Sequence, residues 1–267
     1  MTRRDPPPAL RVLQLTDPHL MADPTGELLG VNTRDSFDAV LDQIQRDGIL
    51  PDLILATGDL AQDCSEDAYR LFAEKLAIFN CPVLWLSGNH DDAATLERMA
   101  GVESGRKQLV QGGWHFILLD SSVPHQVHGE LSNRELTFLD EALTAQPELP
   151  TLVALHHHPV DIGSRWMDRI GLKNRDAFWR VIDRHPQVKV VLWGHIHQEL
   201  DQARGNVRLL ASPSTCIQFT AGSDDFAVEA LPPGYRWLEL APSGDCQTWV
   251  GRAGDFRFDL DINSSGY

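Results

Sequence analysis

Apolar runs of strand length alternate along the chain with stretches whose apolar residues recur every three or four positions. Leu10–Thr16, Asp52–Ala56, Cys81–Leu86, Trp114–Asp120, Thr151–Leu155 and Val188–Trp193 read as strands. Asp35–Asp47, Glu66–Phe79, Asp91–Ala100, Asn133–Ala145 and Arg175–Arg184, lying between them, read as helices. This βαβα order predicts an α/β fold with largely buried sheets. Beyond Gln198 the pattern changes. Val207–Ala211, Tyr235–Leu240 and Gln247–Gly251 read as short strands joined by Gly/Pro turns, enough to complete a second sheet. Residues 221–234, richer in Gly, Pro and acids, read as a surface loop.

Length and charge narrow the class. The 267 residues suit one large domain with its own core. Neither a repeat nor a long linker divides them. The expectation is a single domain over residues 1–267, with 1–8 flexible and 221–267 a cap over the site or a contact for a second subunit. The oligomeric state itself is left open. The apolar runs are far too short to cross a bilayer. The polar, proline-rich start lacks the apolar segment of a signal peptide. Cys64, Cys81, Cys216 and Cys246 are widely spaced with no C-x-x-C pair, so they read as reduced thiols in a cytoplasmic protein. A formal net charge of −15 opposes both a nucleic-acid interface and binding to anionic membrane. An acidic chain that handles a phosphate ester needs local positive charge, from basic side chains or bound cations.

The candidate chemistry lies at the ends of the strands. The first apolar run ends Thr16-Asp17-Pro18-His19, and in extended chain residues two apart face the same way, so Asp17 and His19 can point at one ion. The second ends Thr57-Gly58-Asp59, where the glycine lets the backbone turn sharply. The others end Ser87-Gly88-Asn89-His90-Asp91, His156-His157-His158-Pro159 and Gly194-His195-Ile196-His197, the last again with two histidines two apart. Ligands of open α/β sheets bind outside the carboxyl ends of the strands, so five such ends make one shared site. Mixed imidazole and carboxylate donors suit divalent manganese, iron, cobalt or zinc, and the absence of cysteine argues against structural zinc.

Together these five motifs resemble, in order and rough spacing, the calcineurin-like metallophosphoesterase superfamily, from about Leu10 to about Phe219. The runs 155–159, 192–200 and 212–219, with the ending Ser265-Gly266-Tyr267, are similar to the bacterial class III cyclic-nucleotide phosphodiesterases, the cyclic-AMP group. The resemblance implies a four-layer αββα sandwich with a dinuclear site at one edge and two divalent or mixed-valence ions (iron, manganese, zinc or cobalt). One ion would take Asp17, His19 and His197, the other Asn89, His156 and His195, with Asp59 bridging both; His157 is the alternative to His156. Hydrolysis of 3',5'-cyclic AMP to 5'-AMP would use a hydroxide shared by the ions. His90 would serve as general acid without binding metal, its ring oriented by Asp91 or a backbone carbonyl, and His19 and Asn89 would also meet the substrate. The alternatives are a broader phosphodiesterase acting on glycerophosphodiesters or 2',3'-cyclic nucleotides, and a metal-free protein-binding scaffold. His115, His125, His128 and His185 read as structural or surface residues.

Overall fold

In the computed structural model, which describes residues 8–266, the apolar runs become two sheets whose alternate residues face opposite ways. The chain opens with β1 (Leu10–Leu15), a hairpin of β2 (Glu27–Leu28) and β3 (Val31–Asn32), α1 (Thr33–Asp47), β4 (Leu53–Thr57) and α2 (Glu66–Leu76). Then come β5 (Val83–Leu86), α3 (Ala93–Ser104), β6 (Gln108–Gln111), β7 (Trp114–Leu118), α4 (Asn133–Ala145) and β8 (Thr151–Ala154). A short α5 (Arg165–Asp168), α6 (Arg175–Ile182), β9 (Val188–Trp193), β10 (Leu200–Arg204) and β11 (Val207–Ala211) follow. The chain closes with β12 (Gln218–Phe219), β13 (Val228–Glu229), β14 (Gly234–Leu240) and β15 (Cys246–Arg252). One sheet has the order β15-β14-β1-β4-β5, the other β10-β11-β9-β8-β7-β6.

The two-residue period of the strands generates the layers. Leu13, Leu15, Ile54 and Ala56 turn outward onto Phe37 and Val40 of α1 and Tyr69 and Phe72 of α2. Their neighbours Val12, Leu53 and Leu55 turn inward and meet Phe116, Leu118, Leu152, Val190 and Leu192 of the other sheet. In that sheet Ile117, Val153, Val191 and Trp193 turn outward onto Leu139 and Leu143 of α4 and Phe178 and Ile182 of α6. The result is helix, sheet, sheet, helix, the four-layer sandwich expected. Helix starts are fixed by side-chain caps: Asn32, Ser65, Asp92 and Ser132 accept the backbone N–H groups of Asp35, Ala68, Thr95 and Glu135.

Two strands of the large sheets escape the sequence pattern. β6 and β10 are polar edge strands, so no run of apolar residues marks them. Within residues 221–234, read as loop, Val228–Glu229 pairs with Gln218–Phe219. The flexibility expected at residues 1–8 falls, but for Pro8, outside the described residues. Among the described residues no helix is long and apolar enough to cross a membrane.

Candidate active site

Parallel pairing runs β1, β4 and β5 together in one sheet and β7, β8 and β9 in the other, so each set ends at a common edge. The two edges adjoin. The Gln14 amide donates to the Trp193 carbonyl at 3.0 Å and to Thr57 Oγ1 at 2.8 Å. Beyond these ends the backbone departs from the strand. Asp17 (φ 53°), His19 (48°), Asp59 (52°), His195 (65°) and His197 (47°) all adopt the left-handed conformation, which costs an L-residue about 1–2 kcal/mol. The two-residue spacing of Asp17 and His19, and of His195 and His197, therefore does not work through a strand's pleat, as the sequence suggested. The pleat has ended at Leu15 and Trp193, and left-handed turns aim the side chains instead. His195 and His197 consequently part company, each joining a different cluster. Glycine is required where these turns crowd together: a Cβ on Gly88 would collide with the Asp59 carboxylate, and one on Gly194 with Thr16 Oγ1 and Asp17.

The first cluster contains Asp17, His19 and His197, all buried. The His197 Nδ1–H donates to the Ile217 carbonyl at 2.9 Å, and the His19 Nδ1–H to Gln62 Oε1 at 2.7 Å. Both Nε2 atoms are thereby left as lone-pair donors, yet they stand 3.3 Å apart, with Asp17 Oδ1 3.2 Å from His197 Nε2. Three lone-pair atoms converging in a dry pocket repel one another unless a proton or cation sits among them. The Asp17 carboxylate is oriented in turn by Thr16 Oγ1 at 2.6 Å and by the His195 backbone N–H at 3.1 Å.

A second cluster lies beside it. His156 donates Nδ1–H to the Thr57 carbonyl at 2.8 Å and turns Nε2 toward Asp59 Oδ2 (3.3 Å) and Asn89 Oδ1 (3.2 Å). His195 donates Nε2–H to the Ile170 carbonyl at 3.2 Å, which leaves its Nδ1 with a lone pair a cation could take. His157 belongs to the same cluster as His156 and His195; Ser121 Oγ lies 2.8 Å from its Nδ1, and its Nε2 has no hydrogen-bond partner among the described residues. Asp59 stands between the two clusters, 3.9 Å from His19 Nε2 and 3.3 Å from His156 Nε2. His90 joins it from a third side, its backbone N–H donating to Asp59 Oδ1 at 2.8 Å and its ring edge-on to His19 at 5.0 Å.

The electrostatics agree with a site built for cations. Burial pushes the His19 imidazolium down to about 3 and holds His157 and His195 far below the ordinary value. For His156 burial works the same way, but the Asp59 and Asp17 carboxylates outweigh it and raise it to about 9. Burial opposes ionisation of Asp17 and Asp59 too, yet the imidazoles of His197 and His156 hold both carboxyls below the usual range. Without ions, a proton on His156 thus stands in for missing positive charge. The donor set of imidazole nitrogens, carboxylates and one amide oxygen fits divalent cations.

Asp91, one of the two groups expected to orient the His90 ring, has other partners. The Asp91 carboxylate accepts the backbone N–H groups of Leu60 and Ala61 at 3.0 Å, that of Gly88 at 2.9 Å and the Tyr69 hydroxyl at 3.0 Å. It ties the loop after Asp59 to the loop before Asn89. Its burial and the nearby Asp59 charge push it up to about 6. Sequence reasoning also missed Gln62 and the Thr57, Ile170 and Ile217 carbonyls as the groups that fix each imidazole. His115 is buried beside Gln108 and His185 bonds Asp140 at 2.7 Å, both structural as expected. Asp161 and Arg165 form ion pairs with Arg175 and Asp224.

A cavity of about 300 Å³ opens beside Asn89, His90 and His195. Its apolar side is a triangle of aromatic rings: Trp166 meets Phe219 at 5.1 Å and Phe226 at 5.2 Å, and Phe219 stacks on the His197 ring at 4.2 Å. A flat apolar body with a phosphate at one end fits such a space.

Known proteins resemble this chain. The model of the calcineurin-like phosphoesterase family matches residues 10–199. The chain is 44% identical to a Pseudomonas aeruginosa protein named 3',5'-cyclic adenosine monophosphate phosphodiesterase CpdA, over 96% of this chain and 94% of that one. It is also 44% identical to the Escherichia coli protein of the same name, over 97% and 95%. Among solved structures, a dimetal phosphatase from Danio rerio superposes with a TM-score of 0.65 at 16% identity, covering 90% of this chain and 98% of the other, a likeness of fold. With the five motifs gathered at one edge of a four-layer sandwich, the chain belongs to the calcineurin-like phosphoesterase family.

Proposed function

We propose that the protein hydrolyses 3',5'-cyclic AMP to 5'-AMP at a two-ion site. The observation that carries the phosphoester chemistry is Asp59 shared between two clusters of histidines whose other ring nitrogens are already bonded. The substrate follows the cyclic AMP phosphodiesterases that share 44% of its residues over nearly their whole length. In this reading Asp17, His19 and His197 would hold one ion and Asn89, His156 and His195 the other, with Asp59 available to both. Iron, manganese, zinc and cobalt all suit these donors. When bound, the ions supply charge for the non-bridging phosphoryl oxygens and acidify the attacking water.

The remaining work belongs to the chain. The aromatic rings at Trp166, Phe219 and Phe226 hold the base and sugar and exclude water. His19 and Asn89 meet the phosphate edge. The oxygen of a water molecule bonds to phosphorus in line, its proton passing to solvent, as the bond from phosphorus to the ribose 3' oxygen breaks. That oxygen leaves with the electron pair, and His90 delivers a proton to it. The described residues act as one domain, since three apolar cores fill the layers on and between the two large sheets. Four unpaired thiols suit the reducing cytoplasm.

The test is to load the protein with Mn²⁺ and compare kcat/KM for 3',5'-cyclic AMP, 2',3'-cyclic AMP, a glycerophosphodiester and 5'-AMP. Strong preference for the first, with 5'-AMP as product, is expected. Weak and similar activity on every diester would remove cyclic AMP as the assigned substrate.

A further inference from the structure

One side of the cavity is supplied by a segment that brings none of the clustered histidines or carboxylates. Ser265 and Gly266 line it together with Asn89, His90, His195 and Phe226. They lie at the end of a strap, residues 253–266, that leaves β15 and crosses the outside of the sandwich. Phe256 packs against both helix-covered cores and stacks on Phe258 at 5.5 Å. Phe258 and Leu260 continue along the core of the six-stranded sheet.

Its anchor is the turn of the β2–β3 hairpin. The Asp261 N–H donates to the Leu29 carbonyl at 2.9 Å. Next to it Gly30 has φ +83°, and a Cβ there would stand 2.5 Å from the Asp259 carbonyl oxygen. Beyond the anchor the strap curls. Asn263 N–H donates to Asp261 Oδ1 at 3.1 Å, and Ser264 Oγ–H to the Gly266 carbonyl at 2.6 Å. The curl delivers Ser265 and Gly266 to the cavity.

We propose that this strap is the specificity element of the site, selecting cyclic diesters over linear ones. A phosphodiester carries two ester arms that diverge from phosphorus. In a cyclic nucleotide both arms return to one sugar, so the molecule needs room on one side of the phosphate only. In a linear dinucleotide the second arm must leave by another side. Of the directions open from the phosphate edge, one holds the aromatic triangle and another is lined by Ser265 and Gly266. In this proposal that lining excludes the second arm by bulk, a steric rejection that needs no charge. This rests on the phosphodiesterase reading, but not on the choice of cyclic AMP.

The experiment compares the intact enzyme with a chain ended after Ile262 and with Gly30→Ala, which forces the anchor apart at a distance from the cavity. The readout is the ratio of kcat/KM for adenylyl-adenosine, a linear dinucleotide, to that for 3',5'-cyclic AMP, a cyclic diester. Metal content and thermal melting are measured alongside. The ratio is expected to rise about tenfold or more in the shortened chain, and in the same direction in Gly30→Ala, with metal content unchanged. An unchanged ratio in folded, metal-replete variants would overturn the proposal. If the shortened chain does not fold, Gly30→Ala and Ser265→Trp decide. The latter narrows the cavity and should lower the ratio below that of the intact enzyme; a flat response from both overturns the idea. An intact protein that cleaves none of adenylyl-adenosine, cyclic AMP and bis(4-nitrophenyl) phosphate would instead overturn the phosphodiesterase reading.

Discussion

Replacing Asp91 by asparagine keeps the volume and exchanges one carboxylate oxygen for an amide. The native Oδ1 accepts Leu60 N–H, Ala61 N–H and the Tyr69 hydroxyl, each at 3.0 Å, and Oδ2 accepts Gly88 N–H at 2.9 Å. Asparagine has a single acceptor atom. Its better orientation keeps the Oδ1 contacts and sets an NH₂ against the Gly88 N–H, donor to donor. A hydrogen bond to a charged group contributes roughly 1.5–3 kcal/mol. Part of that loss is offset, because the neutral amide escapes the burial and Asp59 repulsion that push Asp91 up to about 6. A net loss of about 1–2 kcal/mol remains, which in a protein of this size lowers melting by roughly 2–8 °C. Gly88 precedes Asn89, so the same change should weaken the Asn89 side of the site and lower metal content. Thermal melts of chelated protein, and metal per chain by plasma mass spectrometry, measure both effects. A variant that melts like the parent and keeps full metal would refute the account of Asp91 as the clamp between the two loops.

Other changes separate chemistry from construction. His90→Ala should lower kcat by about 10²–10⁴-fold with both ions retained; parallel loss of metal would show that His90 holds the site rather than donating a proton. Gly194→Ala places a Cβ against Thr16 and Asp17 and should cost about 1–3 kcal/mol along with the ion on the Asp17 side, read by melting and metal analysis; parental values would mean that the close approach is dispensable. In chelated protein His156 is raised to about 9 from 6.5. The stability its imidazolium contributes is fully present below pH 6.5 and is lost as pH rises through 9. The melting gap between loaded and chelated protein should therefore widen over that window, with proton release on ion uptake below pH 9 read by calorimetry in buffers of different ionisation heat. A constant gap would rule out a proton on His156 as the stand-in for positive charge.

Central strands were legible because both their faces are buried, so Val12 beside Leu13, or Leu152 beside Val153, shows as an unbroken apolar run. Polar edge strands such as Leu200–Arg204 left no such trace. The ligand types could be read because Asp, His and Asn at the ends of buried strands stand out against the apolar residues before them. How those side chains are aimed was not legible. A left-handed φ at Asp17 or His197 is only weakly signalled by residue type, and the Thr57, Ile170 and Ile217 carbonyls that fix the imidazoles are common to any residue. Asp91 misled for a related reason: adjacency to His90 suggested a partner, whereas its targets are the backbone of Leu60 and Ala61, 31 and 30 residues upstream, the Tyr69 hydroxyl and the Gly88 N–H.

The five left-handed positions bear on how such a chain responds to selection. At about 1–2 kcal/mol each, Asp17, His19, Asp59, His195 and His197 together carry strain comparable to the roughly 5–15 kcal/mol of net stability typical of a folded protein. Glycine at any of them would relax the backbone and delete a side chain of the site. Selection for heat resistance alone should therefore enrich inactive survivors with glycine at these positions, while selection that also demands turnover should leave all five untouched and gather its gains elsewhere. Sequencing the two surviving pools would reveal that divide.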